Sequence, residues 1–296
     1  VSYQEAREII PKMQDFFDEP FADSSAVPTF LVSKLAKQHV TMTLSGDGGD
    51  ELFMGYGSYT WAKRLSNPIL KTFRNPVSFL LRQHNSRSKR AAMLFNYKNP
   101  EHIKSHIFSQ EQYLFSETET IALTGKTSPI FNEINLRKAS LPPRGQQALF
   151  DLQYYLKDDL LVKVDRTSMA SSLETRVPLL DYRLVEFALS LPDAYKIKNG
   201  IAKFMLKDIL NQYIPKPLFD RPKQGFAIPL SVWMKNELKA YFLDYLSPET
   251  VRKHGLVNPL EVEKYKQMFY SKNLHFYYNR LWQLVVLHQW AEKNLI

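Results

Sequence analysis

Half of the ten glycines in this chain of 296 residues fall between positions 46 and 57: Gly46, Gly48, Gly49, Gly55 and Gly57. The stretch that holds them, "LSGDGGDELFMGYGSY" from residue 44 to 59, also carries three acids, Asp47, Asp50 and Glu51. It follows "VTMTL", residues 40 to 44, the clearest strand in the sequence because it is short and rich in β-branched residues. Residues 49 to 65 can start a helix. The glycines therefore sit on a strand–loop–helix junction, where open α/β sheets bind their ligands.

Glycine lets the backbone turn sharply and approach a ligand closely. Backbone N–H groups at a helix start attract anions such as phosphate. Carboxylates beside a phosphate make sense if Mg²⁺ lies between them, since Mg²⁺ takes oxygen from one or two carboxylates and from phosphates. A Walker A loop would need a Lys-Ser/Thr pair that this loop lacks. An EF-hand would need acids at alternate positions and a distant Glu. The plainer reading is an acidic helix start over a glycine turn.

The surrounding chain reads as mostly helical. Helices are expected over 2–17, 29–38, 146–169, 183–190, 201–213, 230–246, 259–270 and 276–293, with breaks at "DEPFADSSAVP", "HNSRSKR" and "LTGKTSP". One strand alone cannot make a sheet, so more strands must accompany it. The expectation is an α/β domain whose visible part is predominantly α-helical. It divides into a strand–loop–helix portion over 1–66, a helical cover over 67–144 and a helical C-terminal portion over 145–296.

Composition narrows the function classes. The chain has no cysteine, which excludes disulfides, thiolate zinc sites and a cysteine nucleophile, and fits a cytoplasmic protein. No apolar run reaches the ~18 residues of a membrane span, so no membrane partner is expected. The net charge of +9 is concentrated: residues 52–100 hold nine Lys or Arg and no Asp or Glu. That window carries no nucleic-acid motif, so it reads as a solvated basic face rather than a nucleic-acid site. Within it, "NPILKTFRNPVSFLLRQ" is amphipathic, and its apolar side is expected to be packed.

Two further stretches are dense in chemistry. "DDLLVKVDRTSMASSLETRVPLLD", residues 158–181, mixes Asp158, Asp159, Lys163, Asp165, Arg166, Glu174, Arg176 and Asp181 with apolar residues. It predicts semi-buried ion pairs, with Arg176 and Asp181 structural on either side of "VPLL". "KNGIAKFMLKDIL" and "LFDRPKQGFAIPL" put Lys203 at a helix start and Arg221, Lys223 and Gly225 on a proline-flanked loop, which suits a phosphate clamp.

Taken together, "LSGDGGDELFMGY", "KVDRTSMASSLETRVPLLD" and "RPKQGFAIPL" resemble the synthetase domain of glutamine-dependent asparagine synthetases. "FFDEPFADSSAVPTFLVSKLA" resembles the segment before the loop in the same family. The resemblance covers about residues 12–66 and 145–240. It implies an adenine nucleotide alpha hydrolase-like α/β fold with a parallel sheet. It also implies ATP and Mg²⁺ as cofactors: a carboxylate, usually that of aspartate, attacks the α-phosphorus of ATP, pyrophosphate leaves, and ammonia displaces AMP. On this resemblance Asp47, Lys223 and Asp165 are the catalytic candidates. Ser45, Gly46, Asp47, Gly48, Lys203 and Glu174 would bind substrate or ATP, and Asp50 would bind the metal.

Two departures stand out. The family's Ser-Gly-Gly-x-Asp-Ser pyrophosphatase loop does not occur here, and neither does the cysteine of its N-terminal glutaminase domain. The chain is therefore expected to be a C-terminal piece, inactive alone, whose partner is that glutaminase domain; a homodimer is left open. The shared motifs mark adenylation and not the substrate. Relatives that amidate a sugar or peptide carboxylate, relatives that close β-lactams, and a non-catalytic basic binding module are the alternatives.

Overall fold

A computed structural model of the chain describes residues 2–126, 141–219, 226 and 228–295. The chain divides into two compact units: residues 1–28, 68–135 and 227–296 form one, and residues 29–67 and 136–226 form the other.

The second unit carries the glycine-rich stretch. Its elements in chain order are β1 (Met42–Leu44), α1 (Gly49–Leu52), α2 (Gly57–Leu65) and α3 (Pro143–Phe150). A π-helix (Asp151–Leu160) follows, then α4 (Leu161–Met169), β2 (Glu174–Arg176), α5 (Tyr182–Ser190), the short strands β3 (Ile197–Lys198) and β4 (Ile201–Ala202), and α6 (Phe204–Leu210). β1 pairs in parallel with β2, with Met42 opposite Glu174, Thr43 opposite Thr175 and Leu44 opposite Arg176. The ladder runs on past both strands: Ser45 N–H donates to the Arg176 carbonyl at 2.8 Å and Glu174 N–H to the Thr41 carbonyl at 3.2 Å. A sheet is thus present and parallel, and helices make up most of the rest of the unit. Leu52 and Phe53 form its core with Ala188 of α5, with Leu180, Leu206 and Leu152 packed around them.

The helical expectations hold in place more than in continuity. The expected helix over 49–65 breaks at 53–56, where Met54 takes a left-handed φ of 56°. The expected 146–169 helix runs as α3, the ten-residue π-helix and α4 without leaving helical geometry. The helix expected over 201–213 is corrected more substantially. Ile197–Ala202 is an antiparallel hairpin turned by Asn199 (φ 52°) and Gly200 (φ 79°), and a helix begins only at Phe204. Asn-Gly is the favoured sequence for such two-residue turns because both positions need positive φ.

The first unit is built on the helix Tyr278–Asn294. Its Leu281, Trp282, Leu284, Val285, Val286 and Ala291 are all buried, as expected of a helix surrounded by others. The helices Lys239–Tyr245, Pro248–His254 and Pro259–Lys266 pack against it. The expected helix over 230–246 is two, Leu230–Trp233 and Lys239–Tyr245. The amphipathic stretch 67–83 also departs from expectation: Ile69, Phe73, Phe79 and Leu80 are exposed, and the helix Arg74–Arg82 turns Ser78 inward, whose hydroxyl donates to the Ala92 carbonyl at 3.0 Å. Several cations of the basic window rest on rings. Arg74 lies 4.3 Å from the Tyr97 centroid and Arg90 4.4 Å from that of Tyr113.

Candidate functional site

The acidic loop is held in shape by its own first residues. At the end of β1 the Ser45 hydroxyl donates to the Asp47 carboxylate and accepts from the Asp47 N–H, which fixes that carboxylate beside its own backbone. The glycines then divide by purpose. Gly48 has φ 83°, and a Cβ there would meet Leu180 Cδ2 at 2.4 Å, so both backbone and packing require glycine. A Cβ on Gly55 would stand 1.7 Å from Asp50 Oδ1, so that glycine is where the Asp50 carboxylate lies. The Gly55 N–H donates to the Asp50 carbonyl at 2.8 Å and closes the loop on itself. A Cβ on Gly46 would meet nothing within 4 Å, so the backbone there is open to an incoming group.

The three acids separate. Asp47 and Asp50 are half-buried, while Glu51 is fully buried. Asp50 Oδ1 pairs with Lys203 Nζ at 2.8 Å. Lys203 reaches it from the end of the β3–β4 hairpin, with a left-handed φ of 55° at the N-cap of α6. A hairpin that the helical expectation passes over is therefore what delivers this lysine. Glu51 turns inward, where Tyr56 OH donates to its Oε1 at 2.5 Å and burial raises its pKa above the usual carboxylate range.

Behind the loop lies an acid that no sequence motif singles out. Asp151 is fully buried at the start of the π-helix. Gln147 Nε2 donates to its Oδ1 at 3.0 Å, and the Ser58 hydroxyl, 3.4 Å away, donates to its Oδ2. Burial pushes its pKa up to about 7, with the nearby Glu51 adding to the rise, although the Gln147 and Ser58 hydrogen bonds oppose it. The sign of the consequence follows. Between the unfolded pKa near 4 and the folded value near 7 the native state binds more protons, so this group's contribution to stability falls as pH rises across that window. Chemical unfolding of Asp151→Asn should show a shallower decline in stability from pH 4 to 7 than the parent protein; an unchanged slope would contradict the buried-acid assignment. The only sequence-level sign of Asp151 is Gln147 one helical turn before it.

The remaining expected site residues lie differently. Glu174 is on β2 opposite Met42, exposed, and pairs with Arg176, Oε1 to Nε 2.7 Å. Asp165 is exposed on α4, the helix that packs on β2, and its carbonyl accepts the Ser168 hydroxyl at 3.3 Å. Lys223, with Arg221 and Gly225, lies outside the described residues.

The expectation of semi-buried ion pairs in 158–181 is corrected at Arg176 and Asp181. The Arg176 and Glu174 side chains are 64% and 55% exposed. Asp181 caps α5 and binds Arg183, both from that residue's backbone N–H at 3.0 Å and from its guanidinium. The two charges flanking "VPLL" thus find near neighbours in sequence rather than each other. An exposed pair of this kind contributes ~0.2–1 kcal/mol. Arg176→Ala should accordingly shift the denaturant midpoint by little, and a loss above ~2 kcal/mol would restore the buried-pair reading.

Among the described residues no three His, Cys, Asp or Glu converge on one point. Asp50 can supply one carboxylate, which fits a Mg²⁺ ion that brings most of its ligands with a phosphate group. No helix among the described residues is long and apolar enough to cross a membrane.

Comparison with known proteins identifies the family. The family model described as Asparagine synthase matches residues 1–292. Asparagine synthetase (glutamine-hydrolyzing) 1 of Bacillus subtilis (strain 168) is 30% identical over 250 residues, covering 81% of this chain and 39% of that protein. A putative asparagine synthetase (glutamine-hydrolyzing) of Mycobacterium tuberculosis (strain ATCC 25618 / H37Rv) is 32% identical over 250 residues, covering 79% of this chain and 37% of that protein. The chain thus spans under two fifths of the length of these relatives. With 292 of its 296 residues matched by the family model, the chain belongs to the asparagine synthase family.

Proposed function

We propose that this chain is the synthetase part of an enzyme that forms amides by ATP-dependent adenylation of a carboxylate, that of aspartate in the first instance, using ammonia released from glutamine by a separate glutaminase domain. The observation that carries the reading is the Asp50–Lys203 pair at 2.8 Å, in the same glycine-rich stretch as the open backbone at Gly46. A carboxylate and an ammonium are thereby held together, the two charges that a metal-bound phosphate chain would need. Membership in the family, and relatives named as glutamine-hydrolyzing asparagine synthetases, support it.

In this reading the carboxylate oxygen bonds to the α-phosphorus, the bond to pyrophosphate breaks, and the nitrogen of ammonia then attacks the acyl carbon as AMP departs. The open backbone at Gly46 would let the nucleotide come close, with Ser45 and Gly48 on either side of it as the other binding positions. Asp50 would hold Mg²⁺, whose charge would offset that of the departing pyrophosphate. Lys203 supplies a cation that meets the same growing charge, and Lys223, in the sequence "RPKQGF", is proposed as a second. Asp47, fixed by Ser45, orients the substrate or the adenylate. Asp165 and Glu174 are exposed carboxylates on α4 and β2, proposed as further acids of the reaction on the family resemblance alone. Most of the work is positioning and electrostatics, in which one well-placed group is worth ~10²–10³ in rate.

The test is pyrophosphate release by the full-length protein with Mg²⁺, ATP and ammonium, with and without aspartate. Aspartate-dependent release with matching AMP supports the reading. ATP turnover that ignores every carboxylate offered would sink it.

A further inference from the structure

We infer that Asp151 is a positioning residue for the acidic loop, holding it from behind through Ser58. The carboxyl is anchored on its own side by Gln147 of α3, one helical turn away, at 3.0 Å. On the far side it takes the Ser58 hydroxyl and lies beside the Tyr59 hydroxyl, both on α2, ninety-three residues distant from Ser58 in sequence. Tyr59 is fully buried and its ring stacks 6.0 Å from that of Tyr56, whose hydroxyl grips Glu51. α2 begins two residues after Gly55, which closes the loop by its bond to Asp50. A fixed α2 therefore fixes the loop's trailing end, to which Asp50 is tied through the Gly55 N–H.

The hold depends on charge. The acids and phenols facing Asp151 are Glu51 from α1 and Tyr59 from α2. Of the flanking helices, α3 has Arg144 as its one charged residue and α4 carries Lys163, Asp165 and Arg166. Protonated, Asp151 sits beside Glu51 without conflict. Ionised, it adds a second buried negative charge, and two neighbouring buried carboxylates disfavour one another. Rising pH thus loosens the loop with a midpoint near the raised pKa of about 7. Ordering of the loop is independent of the reaction it serves; only the effect on turnover rests on the function proposed above.

The test is hydrogen–deuterium exchange of the peptide spanning residues 45–58 in the intact protein at pH 6 and pH 8, corrected for intrinsic rates. The parent protein should exchange about tenfold faster at pH 8 than at pH 6. Asp151→Asn, which keeps the shape and removes the charge, should exchange equally at both. Should that variant fail to fold, Ser58→Ala removes one arm of the hold and should speed exchange of the same peptide several-fold, while peptides over 197–210 stay unchanged. A pH difference that survives in Asp151→Asn, or a loop indifferent to Ser58→Ala, overturns the inference. Because no substrate is added, a failure here leaves the proposed reaction untouched, and a failed reaction leaves this result standing.

Discussion

Asp50→Asn in the full-length protein lowers the rate of carboxylate-dependent pyrophosphate release by about 10²–10³-fold, or ~3–4 kcal/mol in the barrier. Asp50 is the carboxylate of the loop that is paired with a cation, Lys203 at 2.8 Å. The amide keeps the size of the side chain and the bond from the Gly55 N–H to the Asp50 carbonyl, so the loop keeps its shape. The pair is partly exposed, 30% for Lys203 and 23% for Asp50, so its structural contribution is ~1 kcal/mol or less. A large loss of rate beside a small loss of stability is the expected signature. A variant that unfolds, or one that turns over within threefold of the parent, would remove Asp50 from the site. Lys203→Met should give a loss of similar size, with Mn²⁺ bound more tightly by the nucleotide-free protein because the competing ammonium is gone.

The largest structural effect is expected far from that loop in sequence. Arg280 is 1% exposed in the long helix Tyr278–Asn294. Its guanidinium donates to both oxygens of Glu119, at 3.2 and 3.1 Å, to the Tyr113 carbonyl at 3.1 Å and to Gln110 Oε1 at 3.1 Å. The Tyr277 ring lies 5.1 Å away. One side chain thereby ties the C-terminal helix to the helices Ile103–Glu111 and Glu117–Thr124, whose own cap, Ser116, shares the Glu119 carboxylate. Arg280→Met leaves that carboxylate, the Tyr113 carbonyl and the Gln110 amide oxygen without their donor, which costs ~3–5 kcal/mol. Replacing Glu119 by Gln in the same background should recover part of the loss. Urea unfolding checks both, and a single-variant loss under ~1 kcal/mol would mean the cluster is solvated rather than structural.

How legible the molecule is in its sequence depends on how local each cause is. The glycine loop can be read because its demands are local: Gly48 needs a positive φ, Gly55 needs room for Asp50, and β-branched residues before it make a strand. Lys203 can be placed at a helix start, yet the hairpin that carries it is hidden under an apolar helical rhythm in "FMLKDIL", although Asn199-Gly200 announces the turn. The π-helix leaves no mark in the spacing of apolar residues, since it is a change of pitch within a continuous helix. Burial is the least legible quantity. Charges crowded into 158–181 suggest buried pairs, but Arg176 and Asp181 turn to exposed neighbours two residues away. The buried carboxyl is Asp151, whose partner Ser58 lies ninety-three residues away and can be found only in three dimensions.

The central claim, that a carboxylate oxygen attacks the α-phosphorus of ATP, has a direct isotopic test. The full-length protein is given aspartate labelled with ¹⁸O in its side-chain carboxylate, together with ATP, Mg²⁺ and ammonium, and the AMP is analysed by mass spectrometry. Adenylation followed by amide formation transfers one labelled oxygen to each AMP. AMP without label, or ADP and phosphate in its place, would contradict the account.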